Sequence, residues 1–132
     1  MAVIAWQETV DDKDTKEMVR EWFFKGHAAL SFGNYDEAIK CYKKTLELNP
    51  GFTYAHRFIG DVYFKKENIN DAISEYKKAL AINPNYAEVH YNLEVAYFKK
   101  GNYKLAIAHC DRALELGYSV NPKVLQLLKP YR

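Results

Sequence analysis

Two segments of the chain carry the residue types that bind transition metals. His90 and Glu94 lie four residues apart, which places both side chains on one face of a helix, and His109, Cys110 and Asp111 are consecutive. A zinc site needs at least three convergent ligands, usually with a fixed spacing such as HExxH, and the sequence has no such motif. We therefore expect no metal and no other cofactor.

The usual catalytic motifs are also missing from the sequence. It has no nucleophile elbow, no glycine-rich phosphate loop and no paired-carboxylate motif. Cys41 and Cys110 form neither a CxxC pair nor a metal-binding spacing. Cysteines used in this way are typical of a reduced, intracellular protein. We predict that the protein is not an enzyme and that it is cytoplasmic.

Paired lysines recur along the chain, and the first question is whether they bind nucleic acid. The pairs are Lys43-Lys44, Lys65-Lys66, Lys77-Lys78 and Lys99-Lys100. The chain has 19 basic and 17 acidic residues, well mixed, with a net charge of +2. Such a balance gives no strong positive field, so solvated helix surfaces explain the lysines better than a nucleic-acid stripe does. We predict that nucleic acid is not a partner. The less favoured alternative is that the lysines, together with the aromatic residues, bind nucleic acid.

The N-terminal segment, residues 1–13, is the least informative part of the sequence. Its apolar stretch MAVIAW is six residues long, has no basic region before it and runs into acidic residues, which is unlike a signal peptide. No apolar run in the chain approaches the length of a transmembrane helix, so we expect no membrane partner. For this segment, packing on the rest of the chain or disorder is favoured over a specific role.

A repeat of 34 residues sets the positions of all these side chains. Residues 43–54 read KKTLELNPGFTY, residues 77–88 read KKALAINPNYAE, and the same frame continues into a third copy. The recurring positions are Gly26/Gly60, Asn34/Asn68/Asn102, Ala38/Ala72/Ala106, Tyr42/Tyr76 and Asn49-Pro50/Asn83-Pro84.

Each copy of the repeat predicts two helices, because apolar residues recur at helical spacing on both sides of a short polar turn. The recurring Asn is predicted to cap the second helix, with Glu37 and Asp71 completing capping boxes in the first two copies. The Asn-Pro motif ends the unit, since proline cannot continue the helix. The small residues are predicted to let the two helices approach closely, while Tyr42 and Tyr76 fill the remaining space.

Helix pairs with this period, with small and aromatic residues at these positions and a terminal proline, resemble the tetratricopeptide repeat. The resemblance covers residues 19 to about 118 and implies an all-α fold, an α-solenoid of three helix-turn-helix units. Within residues 14–118 the units span about 19–52, 53–86 and 87–118. A short capping helix is predicted in residues 119–132, where Asn121-Pro122 begins it. Val124, Leu125, Leu127 and Leu128 are predicted to form its apolar stripe.

The third unit departs from the pattern at two positions. Glu94 stands where the other units have glycine, and Tyr118 stands where they have proline. Cys110 replaces the tyrosine on the partner helix, so a larger residue is expected to face a smaller one. Gly117 is expected to end the last helix of the repeat in place of proline.

The resemblance also implies a binding surface, because in this family the first helices line the concave groove of the solenoid and bind segments of partner proteins. Asn92 is expected to hydrogen-bond the backbone of the bound segment, and the alternative for Phe58 and Phe64 is a place in the core between repeats. The predicted peptide-binding residues are Arg20, Phe23, His27, Tyr54, Arg57, Phe58, Asp61, Phe64, Lys65, Glu88, Tyr91, Asn92, Val95, Phe98 and Lys99.

The charges at these positions indicate what sort of segment binds. Arg57 and Lys65 favour a partner with some acidic residues, whereas Asp61 and Glu88 oppose a purely acidic one. Some family members grip the C-terminal carboxylate of chaperones through Lys, Asn, Asn, Lys and Arg. This chain has none of them at the matching positions, which are Phe23, His27, Phe58, Glu88 and Asn92. We predict no chaperone carboxylate clamp.

The sequence therefore predicts a non-catalytic protein-protein interaction module, an adaptor or assembly factor that binds a peptide segment of a partner protein. The alternative is a self-assembling scaffold, in which exposed aromatic surface and the N-terminal segment build a homo-oligomer. The sequence does not identify the partner.

Overall fold

The structure, a computed structural model, describes residues 13–132 and is all-α over that range. Three helical hairpins follow one another, and a short helix closes the described chain. The helices are α1 (Lys13–Ser31), α2 (Tyr35–Leu48), α3 (Thr53–Lys65), α4 (Ile69–Ile82), α5 (Ala87–Lys99), α6 (Tyr103–Glu115) and α7 (Pro122–Leu128), followed by a 3₁₀ turn at Lys129–Tyr131. The predicted α-solenoid of three helix-turn-helix units is confirmed.

Neighbouring hairpins pack through the second helix of one and the first helix of the next. Helix α2 lies against α3, and α4 lies against α5, so each first helix after α1 is held from both sides. The buried side chains form two clusters, one within α1–α3 and one that runs from α4 to α7. None of the helices in residues 13–132 is long and apolar enough to cross a bilayer.

Glycine at a left-handed position ends α1, α5 and α6. Gly33, Gly101 and Gly117 have φ values of 75°, 79° and 86°, a region in which other residues carry a steric cost. The nitrogen of Gly117 donates to the carbonyl of Leu114 at 3.0 Å, which closes the last turn of α6, and the predicted helix stop is confirmed. Glu67, at the equivalent position after α3, adopts φ 63° without being glycine.

The asparagines before the second helices are the N-cap residues, as predicted, but only one of their side chains forms a capping bond. Asn102 accepts a hydrogen bond from the nitrogen of Leu105 at 3.3 Å. Asn34 and Asn68 accept none, so the capping bonds and capping boxes predicted in the first two units are wrong. The turns there are exposed, and solvent can satisfy the first nitrogens of the helix.

The recurring Asn-Pro motif makes a turn of its own between hairpins. The side-chain oxygen of Asn49 accepts a hydrogen bond from the nitrogen of Gly51 at 3.2 Å. Asn83 does the same with the nitrogen of Asn85 at 3.2 Å. This hydrogen bond from the backbone two residues on to the Asn side chain is typical of an Asx-turn, which takes the place of a backbone turn. The motif therefore both ends one hairpin and starts the approach to the next.

Close packing of a tyrosine ring on a glycine joins the two helices of the first and second hairpins. A Cβ atom added to Gly60 would lie 2.6 Å from Cε1 of Tyr76, and one added to Gly26 would lie 2.5 Å from Cε1 of Tyr42. Both rings are buried, with exposures of 0% for Tyr42 and 2% for Tyr76. The predicted close approach at these glycines is thereby explained: the ring occupies the volume that a side chain would need.

The third hairpin replaces this pair by Glu94 and Cys110. Both side chains are buried, with exposures of 3% and 0%. The larger residue thus lies on the first helix and the smaller one on the second, the reverse of the arrangement in the other two hairpins. This is the exchange of volumes that the sequence predicts.

The C-terminal helix covers the last hairpin with one side only. Asn121 caps α7 by accepting a hydrogen bond from the nitrogen of Lys123 at 2.9 Å. Leu128 is fully buried, and Val124 and Leu125 pack on the same cluster. Leu127 is 56% exposed, so its place in the predicted apolar stripe is wrong, because it falls on the solvent side of this short helix.

The glycine–tyrosine contact predicts that adding one methyl group at the glycine lowers the stability of the fold. Gly60→Ala should lower the free energy of unfolding by about 1–3 kcal/mol, because the new Cβ overlaps the buried Tyr76 ring. Thermal unfolding followed by circular dichroism measures this. Gly51→Ala is the matched control, since a Cβ there meets only Asn49 Oδ1, at 3.7 Å. Equal melting temperatures for the two variants would contradict the close approach of α3 and α4.

Candidate functional site

The predicted peptide-binding residues lie on α1, α3 and α5, and side-chain contacts join these helices into one surface, the first-helix face. Phe23 on α1 and Phe58 on α3 have ring centres 5.6 Å apart. Between α3 and α5, Asn92 donates a hydrogen bond to Asp61 at 3.3 Å. The first-helix face therefore has lateral contacts between its helices, in addition to the packing of the hairpin cores beneath it.

An aromatic cluster occupies the α1–α3 part of the first-helix face. The Phe23 ring lies 4.4 Å from the ring of His27 and 4.9 Å from that of Phe52, measured between centres. The Phe58 ring lies 4.5 Å from that of His27 and is stacked on Tyr42 at 5.8 Å. All except Tyr42 are half-buried, so Phe58 belongs both to the inter-repeat packing and to the surface.

His27 and Tyr42 are the polar partners of each other inside the aromatic cluster. The Nδ1 of His27 lies 2.5 Å from the hydroxyl of Tyr42. Burial lowers the pKa of His27, and the positive charge of Arg57 lowers it further. We therefore treat His27 as a neutral ring that contributes apolar area and one fixed hydrogen bond.

A second line of rings extends the aromatic cluster toward α5. The Tyr54 ring is 5.6 Å from that of Phe52 and 5.7 Å from that of Tyr86, in both cases edge to face. Tyr54 is 49% exposed. Tyr54 is among the residues predicted from the sequence, whereas Phe52 and Tyr86 are not. Their aromatic recurrence in the 34-residue frame was the signal that could have found them.

Arg57 connects the aromatic cluster to the polar part of the first-helix face. Its Nη2 donates to Glu88 Oε1 at 2.6 Å, and its Nη1 donates to the hydroxyl of Tyr86 at 3.3 Å. The guanidinium also lies over the ring of Phe58, 4.6 Å from its centre. Its Nε is 3.7 Å from Asp61 Oδ2 and has no hydrogen-bond partner. Arg57 is thus held mainly by Glu88.

A cavity of about 160 Å³ opens between α3 and α5; we call it the groove cavity. Five of its six lining residues were predicted from the sequence, and the sixth, Tyr76, was predicted only as a core residue. The lining residues are Asp61, Phe64, Lys65, Tyr76, Asn92 and Val95.

Asp61 is the polar centre of the groove cavity. Its Oδ1 accepts hydrogen bonds from the hydroxyl of Tyr76, at 2.5 Å, and from the amide of Asn92, at 3.3 Å. Burial raises the pKa of Asp61, while the Tyr76 hydrogen bond and the charge of Arg57 act in the opposite direction. The buried tyrosine of the second hairpin thus reaches the binding surface through its hydroxyl.

Two predicted site residues of α5, Tyr91 and Phe98, are packed against the rings of other residues. Tyr91 is stacked on Tyr118 with ring centres 5.1 Å apart. Phe98 lies 5.2 Å from the ring of Tyr103. Part of the surface of these two predicted site residues is therefore covered by Tyr118 and Tyr103. They form the border of the first-helix face.

The remaining predicted residues, Lys99 and Arg20, lie at the edges of the first-helix face. Lys99 is 3.8 Å from Glu67 Oε1, with its Nζ 5.3 Å from the ring centre of Phe64. Arg20 is exposed and lines a separate hollow with Asp14, Glu17, Met18 and Glu21. The structure does not bring Arg20 together with the groove cavity.

The residues considered as metal ligands form a histidine pair instead. The Nδ1 atoms of His90 and His109 are 3.0 Å apart, and His90 Nε2 lies 2.8 Å from the carbonyl oxygen of Pro84. A carbonyl can only accept, so His90 Nε2 carries the proton and His109 donates through Nδ1. Burial lowers the pKa of His109 to about 4, and the neighbouring His90 adds to this. Within residues 13–132, no group of three metal-ligating side chains is arranged to hold an ion.

Glu94 is a buried carboxylate whose Oε2 has no hydrogen-bond partner. Burial raises the pKa of Glu94 to about 7. The equivalent tyrosines of the first two hairpins form hydrogen bonds with His27 and Asp61, but here the corresponding pair is Cys110 and Val95, whose side chains offer only the weakly donating thiol. The carboxylate therefore stands in an apolar place without the partner that would compensate its charge.

Family models for one repeat type match most of the region that forms the hairpins. Models described as tetratricopeptide repeat match residues 19–52 and 87–116, and a model described as TPR repeat matches residues 60–101. Together they cover more than half of the chain. A curated TPR repeat-containing protein of Methanocaldococcus jannaschii is 45% identical over 40 residues, which is 30% of this chain. This chain spans only 12% of that protein's length.

Solved structures with the same fold include the TPR domain of Arabidopsis OM64, with a TM-score of 0.82 and 18% identity over 89% of this chain and 99% of that one. The first TPR of Spaghetti (RPAP3) bound to the HSP90 peptide SRMEEVD has a TM-score of 0.78 and 25% identity over 86% and 90% of the two chains. MamA has a TM-score of 0.72 and 24% identity over 74% of this chain and 57% of that one.

The buried carboxylate predicts a pH dependence of stability. Because the pKa of Glu94 is about 7 in the folded chain and near 4.5 in the unfolded chain, folding favours the protonated acid. The contribution of Glu94 to stability is therefore full below pH 4.5 and is lost as the pH rises through 7. Glu94→Gln removes the charge, so it should stabilise the protein by about 1–3 kcal/mol at pH 8 and change little at pH 4.

Urea unfolding of both proteins at a series of pH values measures this difference. The exposed Glu21→Gln is the matched control and should leave the pH dependence of the wild type unchanged. A Glu94→Gln variant that follows the wild-type stability curve at every pH would show that the carboxylate is solvated rather than buried.

Proposed function

Because this chain belongs to the tetratricopeptide repeat family, we propose that it is a non-catalytic adaptor or assembly factor that binds a segment of a partner protein on the first-helix face. The observation that carries the proposal is the groove cavity, which opens between two first helices and is lined by Asp61, Asn92 and Val95 among others. A cavity with mixed apolar and polar walls at such a position suits a single side chain of an extended segment.

The chemistry of the first-helix face supports this proposal. Half-buried aromatic rings and an arginine are the residue types that carry most of the energy of protein interfaces. Asn92 supplies one amide N–H to Asp61. Its second N–H and its carbonyl oxygen are the groups that we propose to bind the backbone of the segment. Neither a nucleic acid nor a membrane is proposed as a partner.

The proposed segment differs from the C-terminal peptide of a chaperone. One structurally similar TPR domain is bound to the HSP90 peptide SRMEEVD, which is acidic. In this chain, Glu88 stands at a position where a carboxylate clamp needs lysine, and Phe58 stands where it needs asparagine. A carboxylate-terminated acidic peptide would meet negative charge there.

The test uses a peptide selected on this protein. A phage library of random dodecapeptides is panned against the whole chain, and the tightest peptide is titrated into ¹⁵N-labelled protein. Amide shifts are expected in α1, α3 and α5 around the groove cavity. Asn92→Ala should weaken binding by roughly 1–3 kcal/mol if the amide is buried against the peptide backbone, as measured by calorimetry.

Lys78→Ala is the control, since Lys78 is an exposed residue of α4 outside the first-helix face. It should bind the peptide as the wild type does. Shifts confined to α2, α4 and α6, or a loss of binding in Lys78→Ala alone, would place the binding surface on the second helices and contradict the proposal.

A self-assembling scaffold is the second candidate, and one observation favours it. Phe24 on α1 is 62% exposed, and Phe32, in the turn that follows α1, is 83% exposed. If a second copy covers them, light scattering after gel filtration should give a multiple of the 15.4 kDa chain mass. Serine at both positions should then return the monomer mass, whereas serine at the exposed Leu105 and Leu114 should not. A monomer mass for the wild type at every concentration rejects this candidate.

A further inference from the structure

We propose that the groove cavity is an anchor pocket for a basic side chain, lysine or arginine, of the bound segment. This inference rests on the proposed function and specifies the chemistry of the partner at one position. The basic residue proposed for the segment is opposite in charge to the acidic residues that Arg57 and Lys65 by themselves would favour. Three features of the first-helix face explain the difference.

The first feature is that the charge of Arg57 is already taken up within the protein. Its closest ionic partner is Glu88, at 2.6 Å, and Tyr86 accepts a further hydrogen bond. The side chain is 19% exposed and lies against the ring of Phe58. An acidic residue of a partner would have to compete with Glu88 for a guanidinium that is held in place on three sides.

The second feature is that Asp61 keeps one carboxylate oxygen available. Both of its hydrogen bonds, from Tyr76 and Asn92, end on Oδ1. No described residue donates a hydrogen bond to Oδ2; Arg57 Nε is the cation near it, at 3.7 Å. About a quarter of the Asp61 side chain is exposed, and it lines the groove cavity. The pocket thus offers a fixed acceptor with negative charge.

The third feature concerns the walls of the groove cavity. Phe64 and Val95 provide apolar surface along which the methylene stem of a lysine or arginine can pack. Lys99 Nζ lies 5.3 Å from the centre of the Phe64 ring, a distance at which a cation is attracted to the face of an aromatic ring. Lys65 also lines the cavity and its charge acts on Asp61, but its side chain is exposed and forms no ion pair with Asp61 among the described residues. A volume of about 160 Å³ accommodates one such side chain.

Other occupants fit the pocket less well. An acidic side chain would be brought close to Asp61 and within reach of the field of Glu88, a juxtaposition of like charges that costs affinity. A purely apolar side chain would bury Asp61 Oδ2 without a hydrogen bond, which carries a desolvation cost. A basic side chain avoids both costs and adds a charge-assisted hydrogen bond.

The experiment compares what the wild type and Asp61→Asn select from the same library of random dodecapeptides. Asparagine keeps the shape of the side chain and an oxygen that can accept from Tyr76 and Asn92, but removes the charge. Peptides selected by the wild type should be enriched in lysine or arginine at one position, and this enrichment should be absent from peptides selected by Asp61→Asn. Circular dichroism melting confirms that the variant is folded.

A double-mutant cycle then tests the contact itself. In the tightest wild-type peptide, the basic residue is replaced by norleucine, which retains the apolar stem. The wild type should bind the norleucine peptide at least about tenfold more weakly, whereas Asp61→Asn should bind both peptides equally. Asp71→Asn, at an exposed position of α4, is the matched control and should keep the wild-type preference.

The outcomes separate this inference from the proposed function. If peptides are selected and shift the amides of the first-helix face, but show no basic enrichment or bind Asp61→Asn with the same preference, the anchor is wrong and peptide binding stands. Enrichment of acidic residues would also overturn the anchor. If the wild type selects no peptide, the proposed function fails, and the anchor fails with it.

Discussion

The structure depends on the contact between a glycine of a first helix and a tyrosine ring of the second helix in the same hairpin. With no room for a Cβ at Gly26 or Gly60, the rings of Tyr42 and Tyr76 set the distance between the paired helices. Because these rings lie under the first-helix face, their hydroxyl groups reach residues exposed on it. Tyr42 holds His27, and Tyr76 holds Asp61. One contact therefore fixes both the hairpin and the polar groups of the binding surface.

The third hairpin shows what happens when that contact is replaced. Cys110 cannot reach the surface, and the residue it would have met, Val95, has no hydrogen-bonding group. Volume is conserved by Glu94, but its carboxylate is buried without a partner for Oε2. A native protein retains such a group at a cost in stability. The exchange also makes one side of the groove cavity apolar, since Val95 lines it opposite the polar Asp61.

Part of the charge on the first-helix face is paired within the protein before any partner binds. Arg57 and Glu88 lie on neighbouring first helices and pair across the gap, as Asn92 and Asp61 do. These lateral contacts stiffen the surface and reduce the conformational entropy that a bound segment would otherwise have to overcome. They also decide which charges remain for a ligand. The groove cavity presents the second carboxylate oxygen of Asp61 as an acceptor, because the guanidinium of Arg57 is paired with Glu88, while the exposed Lys65 also lines the cavity.

The sequence by itself determined the features that repeat every 34 residues. Gly60, Asn83-Pro84 and Tyr76 each act within one hairpin or its turn, so their recurrence was enough to predict the helices, their pairing and the positions on the first helices. The structure alone decided the partners of Arg57, the hydrogen bond from the hydroxyl of Tyr76 to Asp61, and the outward position of Leu127. The contacts of Arg57 join side chains 29 and 31 residues apart, on different hairpins, across a gap whose width depends on how all the helices pack. The spacing of residues along the sequence does not determine that width. The groove cavity and the sign of the charge that it presents could therefore be found only from the tertiary structure.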